Sequence, residues 1–412
     1  MKPPVVPPQT PVLLDESAQN WKIVGRYALC AEIAAGGMAT VYFGRLLGPS
    51  GFARTVAIKR LHPQYAKDPD FVSMFLDEAR LAARIRHPNV VQTLDIVQLS
   101  GELFLVMDYV PGESLSRLFR QLRQQGRVVP RRITASILSG ALLGLHAAHE
   151  AKNEQGQALG IVHRDVSPQN VLVGTDGVPR ILDFGVAKAA GRAHTTRDGS
   201  MKGKCAYMAP EQVMSEPVSR ATDVFAAGVL LWEILTGQRL FHAETDAATL
   251  MKVLHAPIEP PSRIVPDIPA AWDAVVMRAT RRAPEERFAT ARDMAIAIEA
   301  CEGVASTTQV GEWVESLAAS TLGSRAQMLE RIERATLDPT AVVGELPRGD
   351  RERPEPGPVT NGEHTRIAAT VSSPVPPILP MRRRTLGVLA AVAAVVLGVG
   401  VARTLGGSRS SP

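Results

Sequence analysis

The chain has 412 residues, 45% hydrophobic and 21% charged, with a formal net charge of +5; that is room for one large or two ordinary domains plus tails. Arg382, Arg383 and Arg384 alone supply three of the positive charges, and no basic helix with interleaved aromatics occurs, so the charge is local and no nucleic-acid partner is expected. Three cysteines, Cys30, Cys205 and Cys301, odd in number and far apart, argue against a disulfide framework and for a reducing cytosol.

Residues 1–24 carry prolines at 3, 4, 7, 8 and 11 and are expected to be a disordered lead, without the long apolar run of a signal peptide. A β-rich pattern begins at Tyr27. Ile33-Ala34-Ala35-Gly36-Gly37-Met38-Ala39-Thr40-Val41 reads as strand, glycine turn, strand, and Thr55 to Lys59 as another strand. Phe71, Met74, Phe75, Ala79 and Ala82 share one face of a predicted helix that also carries Asp77 and Glu78; His87-Pro88-Asn89 ends it. Leu103 to Val110 is an apolar strand broken by Pro111-Gly112, and Ile133 to Glu150 an apolar helix. On that helix His146 and His149 stand at i, i+3, but no Cys or carboxylate pattern completes a metal site, so they read as helix packing.

Ile161-Val162 and Val171 to Val173 read as short buried strands around an exposed loop, His163 to Asn170. Asp165 and Asn170 lie five positions apart there, a spacing that suits one residue orienting a hydroxyl and another holding a metal ion. A second strand-plus-acid unit, Ile181-Leu182-Asp183-Phe184-Gly185, follows. H-R-D-x-x-x-x-N and D-F-G, in order and at loop-length separation, resemble the catalytic core of protein kinases. The form H-R-D-V-S-P-Q-N resembles a myxobacterial-like branch of the bacterial Hanks-type (eukaryotic-like) serine/threonine protein kinases.

The resemblance spans residues 27–302 and implies an α+β, bilobal protein kinase fold, with a β-rich N-lobe and a helical C-lobe, that uses ATP and Mg²⁺ on protein substrates. It implies that Ile33 to Val41, a degraded glycine loop with Ala34 and Ala39 at two glycine positions, covers the phosphates. Lys59 of V-A-I-K would hold the α- and β-phosphates, fixed by Glu78. Ala57, Met107, Asp108, Val110 and Leu172 would bind the nucleotide, with Met107 as gatekeeper and Asp108 to Val110 as hinge. Asp165 would orient the substrate hydroxyl and accept its proton, and Asn170 and Asp183 would hold Mg²⁺. Tyr207 to Glu211 closes the activation segment, Asp223 would brace the catalytic loop, and Arg287 would pair with Glu211. Arg164 could bind a phosphorylated Thr195, Thr196 or Ser200, and a dimer would allow trans-autophosphorylation.

Two departures bear on mechanism. Ser167 stands where these kinases usually have lysine, and Lys204 where they have threonine. One reading is an exchange, with Lys204 supplying the cation for the transferring phosphoryl and Ser167 keeping the hydrogen bond; the other is drift with lost turnover. The second would fit a pseudokinase scaffold, the alternative to an active enzyme.

Beyond the domain, 303–338 retains helical patterning (Trp313, Leu317, Leu322, Met328, Ile332) and is expected to pack back on the C-lobe. Residues 339–384 read as a disordered linker rich in Pro, Gly, Thr and charge. Leu386 to Ala402 is uncharged and apolar, at the short end of the roughly 17–25 residues that span a bilayer. Arg382 to Arg384 beside it predict a single-pass span of the inner (cell) membrane, with the kinase domain cytoplasmic and a short tail, 403–412, outside, too small for a sensor domain.

Overall fold

The computed structural model describes residues 21–49, 52–184 and 204–336, all within one compact unit, Met1–Leu346. The first part is a sheet. Strands β1 (Lys22–Val24), β2 (Tyr27–Ala35), β3 (Ala39–Leu47) and β4 (Ala53–Leu61) are followed by a one-turn helix, α1 (Pro63–Ala66), and by α2 (Pro69–Ala82). Strands β5 (Thr93–Leu99) and β6 (Glu102–Asp108) complete an antiparallel sheet of order β1-β2-β3-β4-β6-β5.

Alternation along β4 and β6 sets the two faces of this sheet. Val56, Ile58, Phe104 and Val106 pack on one face with Tyr27 and Leu29. Ala57, Leu103, Leu105 and Met107 pack on the other, against Phe71, Phe75 and Ala79 of α2. Each of these phenylalanines contributes on the order of 1.5–3 kcal/mol on burial. Lys59 follows Ala57 by two positions and so shares the face covered by α2, with its ammonium 6.0 Å from the Phe75 ring centre.

After the sheet come β7 (Gly112–Ser114), α3 (Leu115–Gln124), α4 (Arg131–His149), β8 (Val171–Gly174) and β9 (Pro179–Ile181). Strands β7, β8 and β9 form a small sheet. Then follow a 3₁₀ turn (Cys205–Tyr207), α5 (Pro210–Val213), α6 (Arg220–Thr236), α7 (Asp246–His255), α8 (Pro261–Ile264), α9 (Ala270–Ala279), α10 (Ala291–Glu302) and α11 (Thr307–Thr336). Helix α6 is buried all round from Ala221 to Thr236 and forms the centre of the second lobe. The Ser219 hydroxyl caps its start by accepting from Ala221 N–H, and left-handed Gly237 ends it.

The segment after the kinase domain is expected to pack on the C-lobe, and it does: Val310, Trp313, Val314, Leu317 and Ala318 of α11 join the main core. It also reaches further. Ile332, with Met328 and Leu329, packs against Ala28, Cys30, Ala31 and Phe43 of the N-lobe sheet. Arg45 and Glu333 add an ion pair of 3.4 Å, and Arg325 donates to the Gly112 carbonyl at 2.8 Å. A single 30-residue helix therefore touches both lobes. The periodicity marked the helix, but its length alone decides that its far end meets the sheet. At the near end, Gly177 in the β8–β9 turn has φ +74°, and a Cβ there would lie 1.8 Å from the Thr307 carbonyl oxygen. Only glycine accommodates both the turn and that approach.

Among the described residues, no helix is long and apolar enough to cross a membrane. The apolar segment 386–402, the linker before it, the lead 1–20, and Thr195, Thr196 and Ser200 lie outside the described residues.

Candidate active site

The loop from His163 to Asn170 runs into β8, and β9 runs out into Asp183, so one hairpin delivers both acids. Its register pairs Val171 with Ile181, and Leu182 N–H donates to the Asn170 carbonyl at 2.9 Å. His163 is fully buried; its Nε2 bonds the Leu182 carbonyl at 2.8 Å and its ring packs 4.9 Å from Phe184. Arg164 and Asp183 hold φ of 64° and 47°. Left-handed backbone at non-glycine residues costs on the order of 1–3 kcal/mol and persists only where surrounding bonds over-determine it.

For Arg164 those bonds centre on Asp223 of α6, which is 0% exposed. Its carboxylate accepts from His163 N–H and Arg164 N–H, each at 2.8 Å, and from His149 Nε2 at 2.7 Å. Burial alone would raise its pKa, but the bonds and charge from His149 and the His163 amide hold it below the usual carboxylate value. The bracing role expected of Asp223 is present. His149 has more than the packing role its sequence suggests: it ends α4 and fixes the brace. A histidine closing an apolar helix was the signal available, and its partner lies 74 positions away.

Asp165 is the hub of the loop. Its Oδ2 accepts from Lys204 Nζ at 3.0 Å and from Asn170 Nδ2 at 3.0 Å; Asn170 Nδ2 also reaches the Asp165 carbonyl at 2.7 Å. Lys204 caps the 3₁₀ turn in the last part of the activation segment, so that segment carries an ammonium to the loop. Ser167 is 2% exposed, and its hydroxyl has no hydrogen-bond partner among the described residues. An ammonium thus reaches Asp165 from Lys204, whereas the bond expected of Ser167 is not made among the described residues.

Lys59 Nζ lies 2.9 Å from Asp183 Oδ1. Glu78, expected to steady Lys59, is on α2, and its side chain lies outside the described residues. Asn170 turns its amide nitrogen to Asp165, which leaves its amide oxygen, together with the Asp183 carboxylate, as hard oxygen donors of the kind Mg²⁺ takes. The donor set fits the ion.

Above these groups, Gly36 N–H donates to the Ala39 carbonyl at 2.9 Å and closes the turn between β2, which carries Ile33, Ala34 and Ala35, and β3. Gly36, Gly37 and Met38 are exposed. Ala39 and Thr40 are buried, and the Thr40 hydroxyl is engaged with His62 Nε2 at 3.0 Å. Val41, Val110 and Leu172 pack around the cluster that holds Ala57 and Met107, an apolar floor of the kind that accepts a purine. Asp108 N–H donates to the Gln92 carbonyl at 3.0 Å, so of this hinge the amide of Asp108 is committed to the protein.

Under the segment, Arg287 grips Glu211 with two bonds of 2.8 Å, both side chains buried. The pairing expected from their places in the sequence is present. Thr222 Oγ1 donates to the same carboxylate at 2.7 Å. Burial would raise the Glu211 pKa, but these bonds and the Arg287 charge hold it below its usual value.

A sheet-rich lobe over a helical lobe, with two acids, an asparagine and a lysine at their junction, defines a phosphotransferase cleft. The chain belongs to the protein kinase domain family, whose sequence profile matches residues 27–296. The family uses ATP and Mg²⁺. The chain is 42% identical over 295 residues to a protein of Myxococcus xanthus named tyrosine-protein kinase MasK, covering 71% of this chain and 46% of that one. It is 36% identical over 273 residues to serine/threonine-protein kinase PknH of Mycobacterium tuberculosis, covering 66% and 41%. The chain thus spans about half, or less, of the length of these curated relatives. Among solved structures, the Mycobacterium tuberculosis PknI kinase domain matches with a TM-score of 0.52 at 26% identity, over 68% of this chain and 97% of that one.

Proposed function

We propose that this protein transfers the γ-phosphoryl group of ATP to serine and threonine hydroxyls of proteins. The observation that carries the proposal is Asp165, braced from Asp223 and bonded by Asn170 and Lys204. In this reading Asp165 orients the substrate hydroxyl and accepts its proton as the oxygen attacks the γ-phosphorus and the bond to the β–γ bridging oxygen breaks, releasing ADP. Lys59, steadied by Glu78, holds the α- and β-phosphates, and residues Ile33 to Val41 cover them. Ala57, Met107, Asp108, Val110 and Leu172 hold the base. Mg²⁺, held by Asn170 and Asp183, supplies positive charge beside the phosphates when bound. Lys204 stabilises charge that develops on the transferring group.

Serine/threonine specificity is supported by H-R-D-V-S-P-Q-N, which lacks the A-A-R of tyrosine kinases, and by relatives named serine/threonine kinases; MasK, named a tyrosine kinase, is the reason to test it. Phosphoamino-acid analysis of a mixed protein substrate labelled from γ-labelled ATP should give phosphoserine and phosphothreonine. Label on tyrosine alone would overturn this specificity.

Arg164 supports regulation by phosphorylation of Thr195, Thr196 or Ser200: its guanidinium makes no hydrogen bond or ion pair among the described residues, and burial lowers its pKa against the opposing charge of Asp223. In this account a second copy performs that phosphorylation in trans. Residues 27–302 are the kinase domain and 303–338 its helical extension. The expected lead 1–24 is shortened by strand β1, since Lys22 to Val24 pair with Tyr27 to Leu29 and Val24 is buried; in this reading 339–384 links the extension to 386–402, which anchors the chain in the inner (cell) membrane with the kinase domain cytoplasmic.

A further inference from the structure

Beside the catalytic loop lies a cleft of about 390 Å³. Its walls are Arg120 and Arg123 of α3, Arg239 after α6, Tyr207 of the 3₁₀ turn, and Pro168 and Gln169 of the loop itself. Helix α3 is amphipathic. Leu115, Leu118, Phe119 and Leu122 seat it in the core, which leaves Arg120 and Arg123 exposed on the other side. Its start is tied to the loop by Ser116 N–H donating to the Pro168 carbonyl at 2.9 Å, so the arginines are held in fixed relation to Asp165, three residues before Pro168.

Among the described residues, no carboxylate lines the cleft. Neither Arg120, Arg123 nor Arg239 forms an ion pair among the described residues, although Arg239 stacks over the Tyr207 ring at 5.9 Å. Glu233, the acid nearest in the chain to Arg239 on α6, is buried and spent: it accepts from the Tyr207 hydroxyl at 2.6 Å and from Leu240 N–H at 3.2 Å. Three guanidiniums without an ion pair among the described residues, offset only in part by the buried Glu233 whose charge Arg123 and Arg239 feel, focus a positive potential there. Planar donor forks of this kind match carboxylate and phosphate oxygens in pairs.

A substrate segment whose hydroxyl sits at Asp165 extends at roughly 3.3 Å per residue, which brings a cleft lined by Pro168 and Gln169 of the same loop within reach of its near neighbours. We infer that the preferred substrates carry anionic side chains, aspartate, glutamate or an already phosphorylated residue, within a few positions of the acceptor, read by Arg120, Arg123 and Arg239. This rests on the phosphotransfer reading above and names its substrate class.

The test uses the full chain and a set of peptides with one threonine, whose flanking positions are substituted in turn by Ala, Asp, phosphoserine or Lys. At one or more positions, kcat/KM for Asp or phosphoserine should exceed that for Ala by about tenfold, the sum expected of two or three part-exposed ion pairs, and Lys should fall below Ala. Whichever anion ranks higher identifies the source, acidic sequence or prior phosphorylation. In the Arg120→Gln/Arg123→Gln/Arg239→Gln variant the anion-to-Ala ratio should fall towards one. A flat profile, a preference for Lys, or an unchanged ratio in the variant overturns the inference. Fluorescence anisotropy with the same peptides, threonine replaced by valine, separates the two claims. Anion-dependent, arginine-dependent binding without any transfer would sink the phosphotransfer reading and leave the cleft's preference standing; binding indifferent to charge would sink the preference.

Discussion

The ammonium of Lys204 lies 3.0 Å from Oδ2 of Asp165. The activation segment thereby supplies the ammonium that the loop's own Ser167, at the usual lysine position, does not. Lys204→Ala should lower kcat by about 10²–10³-fold, the range for loss of one preorganised donor to transition-state charge, with KM for ATP nearly unchanged. Adding Ser167→Lys to Lys204→Thr should recover activity relative to Lys204→Thr alone. Steady-state kinetics reads both, and full activity in Lys204→Ala would mean that the position has drifted.

The Glu211–Arg287 pair holds the end of the activation segment to the C-lobe. Arg287→Ala leaves a buried carboxylate without its cation, and denaturant unfolding should show a loss of about 3–5 kcal/mol. The folded-state pKa of Glu211 is depressed below its ordinary 4.5. Its contribution is therefore fully present above that value and is lost as pH falls through the depressed value. Asp223, depressed below its ordinary 3.8, acts in the same direction. Unfolding free energy measured down a pH series should fall on the acid side, and the fall should be shallower in Glu211→Gln.

Helix α11 spans both lobes, and Ile332 is its buried contact with the N-lobe sheet. Ile332→Ala should cost about 2–5 kcal/mol if the sheet and helix unfold together. Hydrogen exchange should localise the effect, with protection lost first in β2 and β3. Unchanged protection there would mean that the far end of α11 contributes nothing to the sheet.

The apolar segment 386–402 predicts that the full chain pellets with membranes and resists extraction by alkaline carbonate. Deleting 386–402 should release it into the supernatant. Release of the intact chain by carbonate would rule out a span.

The parts of the site that lie on short contiguous motifs were legible in the sequence. Asp165 and Asn170 share one loop, Asp183 follows one hairpin later, and their residue types fix their chemistry. Lys204 was legible because the motif around it departs from the usual threonine. The residues that escaped act through long-range packing. His149 looks like filler until α6 brings Asp223 beneath it. Arg120, Arg123 and Arg239 look like separate solvated charges until α3 and the end of α6 converge on Pro168. The reach of α11 to Phe43 depends on where a long helix points, which no local pattern encodes.

The most direct test of the account is the rate at which the purified full chain transfers label from γ-labelled ATP, with Mg²⁺, to protein, beside Asp165→Asn, with nucleotide binding measured on both. Transfer by the wild type that falls by about 10²–10⁴-fold in the variant, with nucleotide binding retained, is the predicted result. A folded wild type that binds ATP and transfers nothing, or a variant as active as wild type, would contradict it, and the first outcome would make the protein a scaffold.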